Sequence, residues 1–169
     1  SERAIAQAIK GRRDAISIAS KCGIHWQAGK RQVVNGHPDR LIEEVKESLL
    51  RLQVDHLDLL YLHSPDPNTP IQESAGALRQ LLDEGTIRAA GLSNGNTKDC
   101  ELFTEICPLT ACQRHFNMLQ QEICSKLLPY CRSKEIAMVA YWPLMKGLLT
   151  GRMKRDQVFP KTDSRHKYP

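Results

Sequence analysis

The sequence predicts an α/β fold built on a parallel sheet. Three observations carry that prediction: five short apolar runs recur along the chain, amphipathic stretches lie between them, and the runs are spaced almost regularly. The runs are Ala15–Ser20, Leu57–Leu62, Arg88–Leu92, Leu109–Phe116 and Ala137–Tyr141. Near-continuous apolar runs, rather than strict alternation, suit parallel strands covered by helices. Their starts lie about 30 residues apart on average, the size of one βαβ unit. Eight such units need about 240 residues, near the ~250 of a (β/α)8 barrel. The 169 residues hold five strands, so the spacing leaves two architectures, an open five-stranded sheet or part of a barrel.

The helical stretches follow in order. From Asp39 to Leu52, apolar residues stand at 41, 42, 45, 49 and 52, one helical stripe, with Asp39 as the expected N-cap. The stretch from Pro70 to Leu82 opens on Thr69-Pro70, a cap followed by proline in the first turn, and stops at Gly85. Asn96 to Ile106 and Gln121 to Lys134 complete the set. Parallel neighbours need crossover connections, and those are right-handed. The length suits a single domain over residues 1–169.

Composition narrows the function classes. Hydrophobic residues are 41% and charged residues 25% of the chain, which excludes disordered and fibrous architectures. The longest nearly uninterrupted apolar run, Ala137 to Met145, is far short of the ~18–20 residues of a membrane helix. No charged-then-apolar leader opens the chain, so a cytoplasmic protein without a secretory signal is expected. A good part of the excess positive charge sits in Lys10 to Arg13, Lys30-Arg31 and Arg152 to Arg155, which read as solvated loops and helix ends. No nucleic-acid-binding motif accompanies them, and 5% aromatic residues are too few for a base-stacking surface. The six cysteines (22, 100, 107, 112, 124, 131) lie in apolar-periodic segments, which favours reduced thiols. No CxxC pair occurs and the histidines lack metal-ligand spacing, so no metal site is expected.

Polar residues stand at the C-terminal ends of the predicted strands: Lys21, His63, Ser93-Asn94, Gln113 and Tyr141. Parallel α/β folds of both kinds bind ligands at that edge. Singly, such a lysine is most often a solvated loop residue and such a histidine a hydrogen-bonded structural one. Five consecutive strand ends carrying such groups point to one site.

The motifs around these positions resemble those of the aldo-keto reductase family. The matching stretches are Ser17-Ile-Ala-Ser-Lys21, Ser48-Leu-Leu-Arg-Leu52, Asp55-His-Leu-Asp-Leu-Leu-Tyr-Leu-His63 and Ser64-Pro-Asp-Pro-Asn-Thr-Pro70. They continue with Gly85-Thr-Ile-Arg-Ala-Ala-Gly-Leu-Ser-Asn94, Cys112-Gln113 with Phe116-Asn117, and Ala140-Tyr-Trp-Pro-Leu144 with Gly147-Leu-Leu-Thr-Gly151. The tail, with Phe159-Pro160 and Asp163-Ser164-Arg165, resembles the bacterial branch related to general stress proteins and potassium-channel β subunits.

The resemblance implies a (β/α)8 TIM barrel, of which this chain covers about strands three to seven. It implies reduction of a small-molecule aldehyde or ketone by NADP(H), with NAD(H) as the alternative. It places Lys21 and His63 at the lysine and histidine of a catalytic Asp-Tyr-Lys-His tetrad. There a tyrosine protonates the carbonyl oxygen, and the lysine brings the phenol down from its usual pKa near 10. The Asp and Tyr are expected upstream of Ser1, and Tyr61 reads as core. Ser93, Asn94 and Gln113 match the positions that hold the cofactor carboxamide, and Tyr141 the ring stacked on the nicotinamide. Trp142, Leu144, Gly147 and Leu148 fall where the backbone approaches the pyrophosphate, with Trp142 replacing a common serine. Trp26 is expected in a substrate-side loop, lining the pocket or anchoring the loop. Two other classes stand beside the reductase: a cofactor-holding regulatory subunit of the same fold, and an inactive truncated product or non-redox phosphate-binding barrel.

Overall fold

The computed structural model describes residues 1–27 and 31–167. Helix α1 (Glu2–Ile9) leads to strand β1 (Ala19–Cys22), and a hairpin of β2 (Ile24–Gln27) and β3 (Arg31–Val34) follows. Then come α2 (Pro38–Leu52), β4 (Leu59–Leu62), α3 (Ile71–Asp83), β5 (Ala90–Ser93), α4 (Thr97–Thr104), β6 (Ala111–His115), α5 (Leu127–Ser133) and β7 (Ala137–Tyr141). Strands β1, β4, β5, β6 and β7 form one sheet in that order, every pair parallel. Doubly wound open sheets reverse their strand order at a switch point. This sheet adds each strand to the previous edge without reversal, as the wall of a barrel does.

Two residue sets alternate along the strands. Leu60 pairs with Ala90, and Leu62 with Leu92 and then Cys112, in register. These belong to the main hydrophobic cluster together with Leu41, Val45 and Leu52 of α2, Leu78 and Leu81 of α3, and Phe103 of α4. The other set runs Lys21, Tyr61, Gly91, Ala111. Tyr61 is buried, yet it lies outside the helix-facing cluster. Its ring lies across Gly91, where an added Cβ would meet Tyr61 Cδ1 at 2.4 Å. Glycine there makes room for an aromatic ring on the face opposite the helices.

Several predicted boundaries move, each for a physical reason. The first strand begins at Ala19 rather than Ala15, because Arg13–Ala15 form a 3₁₀ turn. Ile18 still joins the sheet edge, its carbonyl accepting the N–H groups of Asp58 and Leu59 at 3.0 and 3.2 Å. Lys21 therefore sits within the strand. Helix α2 starts at Pro38 with His37 in the N-cap position, so Asp39 is a first-turn acid that complements the helix dipole and not the cap. Helix α3 starts at Ile71 with Pro70 in the N-cap position, and the Thr69 hydroxyl donates to Asp66 instead of capping. Asn96 does cap α4, in a reciprocal box with Asp99 at 3.1 and 2.8 Å. The helix expected over Gln121–Lys134 divides into a 3₁₀ turn (Glu122–Ser125) and α5. Pro129 lacks an N–H, and its ring would strike the Ser125 carbonyl in a continuous helix. Helix α1 and the β2–β3 hairpin are elements that the apolar pattern did not predict. Among the described residues no helix is long and apolar enough to cross a membrane.

Candidate active site

The C-terminal strand edge is tied together by Asn94, the residue just past β5. Its backbone is left-handed (φ 62°), a conformation asparagine tolerates better than most residues. Its N–H donates to the Gln113 carbonyl at 3.0 Å, and its own carbonyl accepts from the Arg114 guanidinium at 2.6 Å. Its side-chain amide donates to the His63 carbonyl at 2.9 Å and to Ser93 Oγ at 3.2 Å. Its Oδ1 accepts the Tyr141 hydroxyl at 2.7 Å. One residue thus joins the ends of β4, β5, β6 and β7. Ser93, opposite Gln113 in register, is fully buried, and its hydroxyl retains a proton to donate. The Gln113 side-chain amide is half-buried and has no hydrogen-bond partner among the described residues.

Lys21 and His63 occupy the β1–β4 side of the same edge. The His63 N–H donates to the Cys22 carbonyl at 2.9 Å, which fixes the two strand ends together. Burial lowers the His63 pKa, the Lys21 charge lowers it further, and Glu44 opposes both. A neutral imidazole at pH 7 follows. The Lys21 ammonium lies 5.7 Å from the centre of the Tyr61 ring. Burial raises the Tyr61 pKa, the opposite of what a proton donor at neutral pH needs. Glu44 is itself buried, accepting the Gly23 N–H at 2.6 Å and Arg40 Nε at 3.1 Å. It pins the turn after β1 and so the end of the strand that carries Lys21.

A second cluster follows β7. Trp142 and Lys146 have left-handed backbones, and Gly147 adopts φ 101°, so this segment turns sharply. Asn117 donates to the Trp142 carbonyl at 3.3 Å, and Arg165 to the Lys146 carbonyl at 3.3 Å. The Lys146 ammonium lies 4.3 Å from the centre of the Trp142 ring. Trp142, Lys146 and Arg165, with Met145, Leu148 and Phe159, line a cleft of about 320 Å³ that carries two cationic side chains. Leu144 and Leu148 are both exposed. A larger depression of about 850 Å³ lies by Leu50 and Gln53 at the end of α2, away from every strand-end residue.

The sequence pattern of the Aldo/keto reductase family matches residues 1–169. The chain belongs to this family. It is 36% identical over 171 residues to aldo-keto reductase YhdN of Bacillus subtilis, covering 100% of this chain and 51% of that protein. It is 35% identical to the NADH-specific methylglyoxal reductase of Escherichia coli, covering 94% of this chain and 52% of that one. The glycerol dehydrogenase AKR11B4 from Gluconobacter oxydans superposes with a TM-score of 0.92 at 37% identity, over 99% of this chain and 53% of its own. The chain spans about half the length of the curated relatives it matches.

In this aldo/keto reductase chain the structure brings Ser93, Asn94, Gln113 and Tyr141 into one hydrogen-bonded edge, with Lys21 and His63 beside it. Trp142 and Gly147 fall in the cleft-bearing turn after β7. Trp26 lies on β2 of the hairpin rather than in an irregular loop, and it is 65% exposed. Ile24 and Trp26 alternate with His25 and Gln27, and this strand pairs antiparallel with Arg31–Val34. Sequence reasoning missed Arg114, His115 and Glu44. His115 shares strand parity with Gln113 and pairs with Tyr141 in register, edge-to-face at 5.9 Å, so alternation along β6 could have found it. Arg114 and Glu44 act through contacts 20 and 21 residues away, which no local pattern announces. Among the described residues no group of three His, Cys, Asp or Glu side chains could hold a metal ion.

Proposed function

We propose that the protein carrying this chain reduces the carbonyl of small aldehydes or ketones with a nicotinamide dinucleotide. NADP(H) is our first choice and NAD(H) the alternative. The observation that carries the reading is the Asn94-centred edge. It leaves the Gln113 amide unpaired among the described residues beside a Ser93 hydroxyl with a proton to give. Those two groups supply the donors and acceptor that a carboxamide requires. The cleft after β7, with Lys146 and Arg165 in its wall, suits the anionic end of the same molecule.

When bound, the dinucleotide supplies the hydride. Ser93, Asn94 and Gln113 would hold its carboxamide, and Tyr141, tethered through its hydroxyl, would offer its ring to the nicotinamide. The backbone of Trp142, Leu144, Gly147 and Leu148 would lie along the pyrophosphate. His63, neutral at working pH, would hydrogen-bond the substrate oxygen. Lys21 would place a positive charge beside the proton-donating phenol, favouring its ionised form. Tyr61 does not take that role, because it is buried across Gly91 with a raised pKa. The similarity to a methylglyoxal reductase and a glycerol dehydrogenase supports small oxygenated carbonyl and alcohol pairs as the substrate class. We place the protein in the cytoplasm, in keeping with six free cysteines, of which five are buried.

The test is a fluorescence titration of the intact protein with NADPH, NADH and a ribose phosphate lacking nicotinamide, followed by aldehyde-dependent oxidation of the bound cofactor. Binding of a reduced dinucleotide and its oxidation by aldehyde are expected. Failure to bind either dinucleotide would overturn the reading. Binding without turnover would replace it with the regulatory subunit.

A further inference from the structure

We propose that Cys100 and Cys112 form an oxidisable pair, at which a hydroperoxide converts two buried thiols into a disulfide joining α4 to β6. Three cysteines converge here, one each on α4, β6 and α5: Cys100, Cys112 and Cys131. All three are buried within the main cluster. The Cys100 and Cys112 sulfurs are 3.3 Å apart. A disulfide is ~2.05 Å long, so closing the pair brings the sulfurs ~1.3 Å nearer. Cys112 has the opposite strand parity to Gln113, so the pair lies behind the sheet, on the helix side, apart from the candidate active site.

The two thiols are chemically unequal. The contact with Cys112 draws the Cys100 thiol below its usual range despite burial, while Cys112 is pushed upward. Cys100 is therefore the attacking group. Its thiolate attacks a peroxide oxygen, and the O–O bond breaks. The leaving alkoxide takes up the Cys100 proton and departs as an alcohol, or as water from hydrogen peroxide. The Cys112 sulfur then attacks the Cys100 sulfenic acid; the S–S bond forms, the S–O bond breaks, and water leaves with the Cys112 proton. The two thiols lose two electrons and the peroxide gains them. An oxidant would enter by local opening of α5, which covers the same buried cluster with Leu127 and Cys131. That helix is only seven residues long and contains Pro129, so it holds few of the backbone hydrogen bonds that resist local opening.

The experiment exposes the intact, reduced protein to hydrogen peroxide, alkylates the remaining thiols and maps the peptides without reduction. Cleavage after Lys and Arg leaves Cys100, Cys107 and Cys112 together in residues 99–114; further cleavage after Glu101 and Glu105 separates Cys100 from residues 106–114, within which tandem mass fragmentation between Pro108 and Ala111 tells Cys107 from Cys112. Exposed Cys124 serves as the internal gauge of oxidant dose. By the point at which Cys124 is fully modified, a Cys100–Cys112 cross-linked peptide should predominate and dithiothreitol should release it. Cys131→Ala should retain the cross-link, whereas Cys100→Ala and Cys112→Ala should each abolish it. Fully modified Cys124 with both cluster thiols still alkylatable would overturn the proposal. So would a bridge to Cys107 or Cys131 in place of this one, and both results are read on the wild-type protein.

Discussion

Gly91→Ala is the sharpest single test of the interior face. The added Cβ would lie 2.4 and 2.6 Å from Tyr61 Cδ1 and Cε1, and 3.1 Å from the Ala111 carbonyl oxygen. Carbon atoms rest at ~3.5–4.0 Å, so the ring must retreat by about 1 Å. Strand β5 cannot give way instead, because it is hydrogen-bonded to β4 on one side and β6 on the other. Tyr61 is 3% exposed and has little free space to enter. Overpacking of this kind costs about 1–3 kcal/mol, and a ring held between a fixed strand and its neighbours belongs at the upper end. Urea denaturation of the intact protein, followed by far-ultraviolet circular dichroism, should show a lower midpoint with an unchanged slope. In a Tyr61→Leu background the same alanine should cost about 1–2 kcal/mol less, a coupling that only neighbouring residues show. Equal costs in both backgrounds, or a wild-type midpoint for Gly91→Ala, would refute the packing argument.

Four further outcomes are expected. Gln113→Ala should weaken dinucleotide binding by about 1–3 kcal/mol while leaving a ribose phosphate without nicotinamide unaffected; equal weakening of both in a fluorescence titration would place Gln113 elsewhere. Tyr141→Phe keeps the ring but removes the hydroxyl that donates to Asn94, so thermal or urea unfolding should register a loss of about 0.5–1.5 kcal/mol. Lys21→Met should lower carbonyl turnover by roughly 10²–10⁴ with little change in cofactor affinity, and turnover within a few-fold of wild type would make Lys21 a bystander. The Asp58 carboxyl feels burial, which raises its pKa, but the Ile18 N–H and Arg13 outweigh it, helped by Arg88, and hold it below its usual value. Its stabilisation is therefore full above the unfolded value near 3.9 and disappears as pH falls through the lower folded value. Asp58→Asn should cost about 1–2 kcal/mol at neutral pH and reduce the acid sensitivity of the urea midpoint.

The order of strands and helices was legible because each buried strand carries its own apolar run and each crossover helix its own stripe. Ala137–Tyr141 matches to the residue, since Glu135 and Lys134 break the pattern before it and Pro143 after it. Ala15–Ser20 missed because Ile16 and Ile18 are apolar for packing reasons, while ladder pairing begins only at Ala19. The division before α5 was readable in principle from Pro129, but the stripe around it masked the break. Hairpin β2–β3 escaped because its strands are short and partly exposed, so no apolar run marks them. At the candidate site, the residue types and their strand-end positions could be read. The wiring could not: Asn94 meets His63 across 31 residues and Tyr141 across 47, and such contacts exist only once the strands are side by side.

The unreversed strand order also bears on how the chain assembles. Ala19 pairs with Leu59, Leu60 with Ala90, Gly91 with Ala111, and Ala111 with Ala137, so the loops to be closed hold 40, 30, 20 and 26 residues. Closure entropy grows with the logarithm of loop length, and the widest and narrowest of these differ by only ~0.6 kcal/mol. No pairing enjoys a large entropic head start. The sequence of docking is then decided by how much apolar surface each new strand–helix unit covers. Strands β4 and β5 are the most deeply buried, so assembly should nucleate there and spread toward both edges of the sheet.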